Sequence, residues 1–133
     1  MPSEIVTKFR VRYAETDRMG YAYYGNYAAW FEVGRVELLR KSGMSYREME
    51  DHGIILPVRD MHVRYHKPAK YDEVVELHTT LKNLRGPRIV FDYLLTNETG
   101  EKLCTAEITL VFLDVESGKP VSAPRAVHEA FSD

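Results

Sequence analysis

Only one cysteine, Cys104, occurs in the 133 residues, so no internal disulfide framework can form. No apolar run approaches the ~20 residues that cross a bilayer. The N-terminal stretch MPSEIVTKFR lacks the charged-then-apolar pattern of a signal peptide. An excess of cations is missing too: a net charge of −2 provides no basic field for nucleic acid. No repeat, low-complexity tract or linker-like segment interrupts the chain. With an ordinary apolar fraction of 44%, these absences leave a soluble, cytoplasmic protein as the expectation, with residues 1–133 as one domain around one core.

Signatures of well-known chemistries are also few. No serine lies in a G-x-S-x-G elbow. Cys104 falls mid-strand on an apolar face, which suits a small core residue better than a thiolate nucleophile. His62 and His66 share a strand face, but at about 3.3 Å per residue they stand ~13 Å apart, too far for one ion. His52, His78 and His128 are scattered, so neither a metal nor a resident cofactor is expected. RGPRI is not a glycine-rich loop opening a helix, and no dinucleotide or Walker fingerprint is present. Arg85 and Arg88 flank that turn, and Lys67 and Lys70 sit in HKPAK. These cations either meet phosphates or form solvated basic turns.

What is present is periodicity. IVTKFRVRY alternates, with Ile5, Thr7, Phe9, Val11 and Tyr13 on one face of a half-buried strand. YAAWFEVGRVELLRKSG then runs without proline, with Asn26 placed to cap it, Arg40 and Lys41 in its last turn and Gly43 beyond. Its first half is apolar almost all round and calls for burial on most sides. Gly34 inside it costs about 1 kcal/mol relative to alanine. It is either tolerated or required by a close backbone approach. SYRE at 45–48 reads as a capping box for a short second helix ending near Gly53.

Four further strands follow. One puts Met61, Val63 and Tyr65 on a face, and the next Val75, Leu77, Thr79 and Leu81. The third puts Ile89, Phe91, Tyr93 and Leu95 together, and the last Cys104, Ala106, Ile108, Leu110 and Phe112. The short turns at 85–87 and 97–100 make neighbours antiparallel. An α+β fold results, in which a one-sided sheet curls around the long helix. Its outer face is polar except where another subunit covers it. The tail 116–133, with two prolines in KPVSAPRAVHEAF, reads as a loop and a short helix.

One stretch, ETDRMGYAYYGNYAAWFE at 15–32, concentrates chemistry. Asp17 is followed by Gly20, which permits a turn others resist. A helix N-terminus with unpaired amides and a positive dipole end comes a few residues later. A carboxylate can activate water or attack a carbonyl, and free amides can hold the oxyanion. Equally, an aspartate can simply cap a loop.

RYAETDRMGYAYYGNYAAWFEVGRVELLRKSG resembles the N-terminal signature of the hot-dog-fold acyl-CoA thioesterases of the 4-hydroxybenzoyl-CoA thioesterase family. The similarity continues through PVRDMHVRYHKPAKYDEVVELHTTL and RGPRIVFDYLL, covering about residues 5–115. The resemblance implies a five-stranded antiparallel sheet wrapped around a central helix. It implies hydrolysis of an acyl-CoA to acid and free CoA, with Asp17 as nucleophile or general base. The amide of Tyr24 or Gly25 would hold the oxyanion. CoA-binding cations would fall on Arg85 and Arg88, and secondarily on Lys67 and Lys70. The acyl pocket would lie between subunits, with Pro57, Val58, Arg59, Tyr23 and Trp30 as walls. Many short-chain members carry histidine where this chain has Tyr24, so their substrates do not transfer. Glu32 and Arg35 match the family pattern and read first as a helical i, i+3 pair. A homodimer or homotetramer is implied, without nucleic acid or membrane insertion. Rival readings are an acyl carrier protein thioesterase and a non-catalytic acyl-CoA-binding hot-dog protein.

Overall fold

A computed structural model describes residues 4–131. Strand β1 (Glu4–Arg10) is followed by helix α1 (Tyr27–Lys41), helix α2 (Tyr46–Asp51) and strands β2 (Ile54–Ile55) and β3 (Val58–Tyr65). Then come β4 (Val74–Arg85), β5 (Arg88–Asn97), β6 (Lys102–Val111), β7 (Leu113–Asp114) and helix α3 (Arg125–Phe131). Five strands form an antiparallel sheet in the order β1-β4-β5-β6-β3.

In β4, β5 and β6 the alternation read from the sequence is the alternation of burial. The edge strand β3 shows none: of Met61, Val63 and Tyr65 only Val63 is half-buried. Val75, Leu77, Thr79, Ile89, Phe91, Tyr93, Leu95, Cys104, Ala106, Ile108, Leu110 and Phe112 all lie in the interior. Their neighbours face outward, where Lys82 pairs with Glu107 across the sheet. Since strand side chains alternate, one face is apolar throughout and must be covered.

Helix α1 covers it with Tyr27, Trp30, Phe31, Gly34, Arg35, Leu38 and Leu39, a stripe at helical spacing. Burial on most sides does not occur in the single chain. Ala28, Ala29 and Val33 are exposed because the sheet reaches only one flank of the helix. Gly34 is the point of closest approach: a Cβ there would stand 2.1 Å from Thr79 Oγ1 and 3.0 Å from Leu77 Cδ2. The glycine is thus required by a close approach, but of the Thr79 and Leu77 side chains and not of a backbone.

Three local expectations change. β1 stops at Arg10 instead of reaching Tyr13, because the segment leading into its partner strand β4 turns away at Asp72, whose φ is +69°. Asn26 does not cap α1 through its side chain; its Nδ2 donates to the Glu15 carbonyl at 2.7 Å. Arg35 is not paired with Glu32. It is buried, and its Nε donates to the Tyr46 hydroxyl at 3.2 Å. The tail forms the expected short helix, α3, and Ala123, Val127 and Ala130 are buried. Ser45 does cap α2, its Oγ accepting from the Glu48 amide at 3.1 Å. The two-residue pair β2–β7 has no periodic signal in the sequence.

Candidate active site

Asp17 stands in a turn between β1 and α1. The Asp17 amide donates to the Tyr21 carbonyl at 2.8 Å, and the Gly20 amide donates to the Asp17 carbonyl at 3.0 Å. Gly20 takes φ +78°, a conformation that a side chain would strain. The carboxylate closes the turn further, with Oδ1 accepting from the amides of Met19 at 2.9 Å and Tyr21 at 3.3 Å. Among the described residues nothing pairs with Oδ2. One oxygen orients the group and the other is available.

The head of α1 supplies the complement. Tyr24–Asn26 form a 3-10 turn leading into the helix. The Asn26 amide bonds the Tyr23 carbonyl at 2.9 Å, while the amides of Tyr24 and Gly25 have no acceptor among the described residues. Such first-turn amides are the natural donors to an incoming anion. A Cβ on Gly25 would lie 2.6 Å from the ring of Tyr23, so that ring rests on the glycine.

Glu15 holds the two parts together, and sequence reasoning passed over it. Its Oε1 accepts from the Arg12 amide and its Oε2 from the Trp30 indole, each at 2.8 Å. Its carbonyl takes both the Tyr23 amide, at 2.8 Å, and the Asn26 side chain. Burial alone would raise the Glu15 carboxyl. The Arg12 amide, the Trp30 indole and the Arg12 guanidinium outweigh it and hold the group below the usual range. The first acid of ETD is thus an anchor between the Asp17 turn and α1.

Asp17 opens on a cavity of about 280 Å³. Its walls are mostly aromatic: Tyr21, Tyr24, Tyr27, Tyr65 and His66. Burial pushes the Tyr27 phenol up to about 12, so it stays protonated. A second cavity of about 390 Å³ adjoins it and shares Tyr21, Lys67 and Pro68. This one is more polar, lined also by Lys70, Glu73, Asn97 and Glu101. Lys67 pairs with Glu101; that bond and the Asn97 amide pull the Glu101 carboxyl down to about 2.

The site residues read from the sequence separate into groups. Asp17, Tyr24 and Lys67 line the aromatic cavity, and Lys70 lines its polar neighbour. Gly25 stands at the same helix head. Tyr23 and Trp30 line neither cavity: Trp30 is buried against Phe9 and Tyr27, with ring centroids 5.1 and 4.9 Å apart. Pro57, Val58 and Arg59 lie exposed at the start of the edge strand β3. Arg85 and Arg88 face each other across the β4–β5 turn and line neither cavity. Tyr65 and His66 were missed as wall residues. Their signal, the end of an alternating strand next to HKPAK, gave no hint of what they would face. Cys104 is fully buried, and burial raises its thiol to about 12, in keeping with a core residue.

Known proteins resemble the chain over most of its length. Residues 11–131 match the Thioesterase-like superfamily. YneP of Bacillus subtilis (strain 168) is 39% identical over 119 residues, 90% of this chain and 86% of that protein. The acyl-CoA thioester hydrolase YbgC of Escherichia coli O6:H1 is 32% identical over 122 residues, 92% and 91% of the two chains. The crystal structure of a DHNA-CoA thioesterase from Staphylococcus aureus superposes with a TM-score of 0.91 at 40% identity, covering 96% of this chain and 88% of that one. The chain belongs to the Thioesterase-like superfamily and has the hot-dog fold of its thioesterases.

Proposed function

We propose that this protein hydrolyses the thioester of an acyl-CoA, with Asp17 as the reacting carboxylate. The supporting observation is a shared cavity. Asp17, with Oδ1 fixed and Oδ2 without a partner among the described residues, lines it together with Tyr24. The Tyr24 amide, like that of Gly25, has no acceptor among those residues. Asp17 Oδ2 takes a proton from water as it adds to the carbonyl, or adds itself. The amides of Tyr24 and Gly25 receive the oxygen as it becomes an oxyanion, a contribution of about 10²–10³ in rate per donor at comparable sites. The acyl group enters the tyrosine-walled cavity, and the CoA arm leaves over Lys67 and Lys70, whose charge attracts its phosphates. A cytoplasmic setting, where thiols stay reduced, accords with the lone Cys104. No described helix is long and apolar enough to cross a membrane.

A homodimer or larger assembly is part of the same reading. The edge strand β3 exposes Val58, Met61 and Tyr65, 49%, 43% and 50% accessible, and α1 exposes Val33. A second copy would cover an open edge of this kind. Light scattering that returns the mass of one chain would rule this out.

The test is a panel of acyl-CoAs, DHNA-CoA among them, followed with a thiol reporter for wild type and Asp17→Asn. Release of CoA by wild type and its loss in the variant are expected. Equal rates would remove Asp17 from the chemistry, and binding without turnover would leave an acyl-CoA-binding protein.

A further inference from the structure

We infer that Glu15 is a positioning residue for thioester hydrolysis, fixing where the amides of Tyr24 and Gly25 stand relative to Asp17. The role rests on the thioesterase reading above. Glu15 precedes Asp17 by two residues and lines neither cavity, so it acts only through its neighbours. Its side chain is 12% exposed, and both carboxylate oxygens are engaged, one with the Arg12 amide and the other with the Trp30 indole.

The chain of contacts starts in the core. Trp30 is buried against Phe9 and Tyr27, so its indole N–H is a fixed donor. That donor and the Arg12 amide pin the carboxylate from two sides, each at 2.8 Å. Pinning the side chain pins the backbone of the same residue. The Glu15 carbonyl takes the Tyr23 amide at 2.8 Å and the Asn26 side chain at 2.7 Å. Tyr23 and Asn26 bracket Tyr24 and Gly25, whose amides have no acceptor among the described residues. The Asp17 turn hangs from the same residue: Thr16 bridges Ala22, and the Asp17 amide donates to the Tyr21 carbonyl.

The direction of the two amides follows from this bracket. A trans peptide unit is planar, so its N–H points opposite to its C=O. The Tyr23 carbonyl takes the Asn26 amide at 2.9 Å, and the Tyr24 carbonyl takes the Tyr27 amide. Both carbonyls point into the helix, and the N–H groups of Tyr24 and Gly25 point out of its N-terminal end. Without the Glu15 contacts this turn keeps its own bonds but can shift as a body against Asp17. Displacing an oxyanion donor matters only as charge develops, so the cost falls on the transition state and not on substrate binding. Glutamine cannot replace the carboxylate here, because its single oxygen leaves one of the two donors without an acceptor.

Steady-state kinetics on one acyl-CoA, expressed per folded molecule, test this. Glu15→Gln should lower kcat on the order of tenfold, a fraction of the roughly 10²–10³ lost when a donor is removed outright. KM should stay within about twofold, the pattern of an interaction made only in the transition state. Trp30→Phe keeps the carboxylate but removes its fixed donor, and should lower kcat in the same way. It reads the same contact alone should Glu15→Gln not fold. The double variant should lose less than the product of the two single losses, because both break one contact. Gly34→Ala disturbs the same helix away from its head and should keep kcat near wild type. A wild-type kcat in Glu15→Gln and Trp30→Phe, a loss confined to KM, a fully multiplicative double variant or an equal loss in Gly34→Ala would each overturn the assignment. Asp17→Asn separates the two readings. Full activity in Asp17→Asn would sink the thioesterase assignment itself, whereas an inactive Asp17→Asn beside an unaffected Glu15→Gln would sink only the positioning role.

Discussion

The inner face of the sheet and the Asp17 turn are built by opposite rules. On the inner face, Thr79 and Leu77 of β4 pack against α1 so closely that position 34 has no room for a methyl group. In the turn, a carboxylate oxygen and two amides have no partners among the described residues, and Met19, Tyr21 and Tyr24 are exposed. Packing left no freedom in the first region, whereas in the second polar groups are oriented but not used up. Helix α1 belongs to both regions: its middle is clamped to β4, and its head presents free amides. On the proposed function, stability and chemistry occupy different turns of one helix, and substitutions should separate them.

The largest effect on folding should come from the clamp. Gly34→Ala places a methyl group against Thr79 and Leu77 and should cost about 3 kcal/mol, the upper end for an overpacked core. Urea unfolding would measure it, and activity per folded molecule should change little. Retained stability would mean that α1 and β4 can separate.

The anchor between the regions should matter less. Trp30→Phe removes the indole bond to Glu15 and should cost about 1.5 kcal/mol at neutral pH, the range for hydrogen bonds to a charged group. The Glu15 carboxyl is held below its usual range in the folded protein. Its contribution is therefore full above the unfolded value, roughly 4.3, and fades as pH falls through the folded one. The difference between Trp30→Phe and wild type should shrink below about pH 4. A difference independent of pH would point to lost ring packing against Phe9 and Tyr27 instead.

The smallest effect is expected at the polar cavity. Lys67→Ala breaks an exposed ion pair and should leave stability unchanged, since such pairs contribute little. It should raise KM for acyl-CoA a few-fold with kcat nearly constant, as expected when uniform binding is lost. An unaltered KM would move CoA recognition elsewhere, with Arg85 and Arg88 the next to examine.

The clamp was far more legible in the sequence than the turn. Alternation in β4, β5 and β6 gave the buried face residue by residue, because strand geometry permits only one face inward. Gly34 could be read as a close approach because a glycine inside a long helix needs a reason. The turn that holds Asp17 and Gly20 and the head of α1 were legible because they are local, lying within residues 15–27. Glu15 was not, since its partner Trp30 lies a full 15 residues on. Tyr65 and His66 were not either, because only folding carries the end of β3 to the Asp17 turn. The reverse error affected Asn26 and Trp30: a good cap residue became a donor to Glu15, and a candidate wall became core.

The most direct measurement pairs hydrolysis of an acyl-CoA by Asp17→Asn with its unfolding curve. Asparagine keeps an oxygen for the amides of Met19 and Tyr21, so the turn should persist and stability should stay near wild type. Turnover should fall on the order of 10²–10⁴-fold, as expected when the reacting carboxylate is removed. A folded Asp17→Asn protein that hydrolyses acyl-CoA at the wild-type rate would contradict the account.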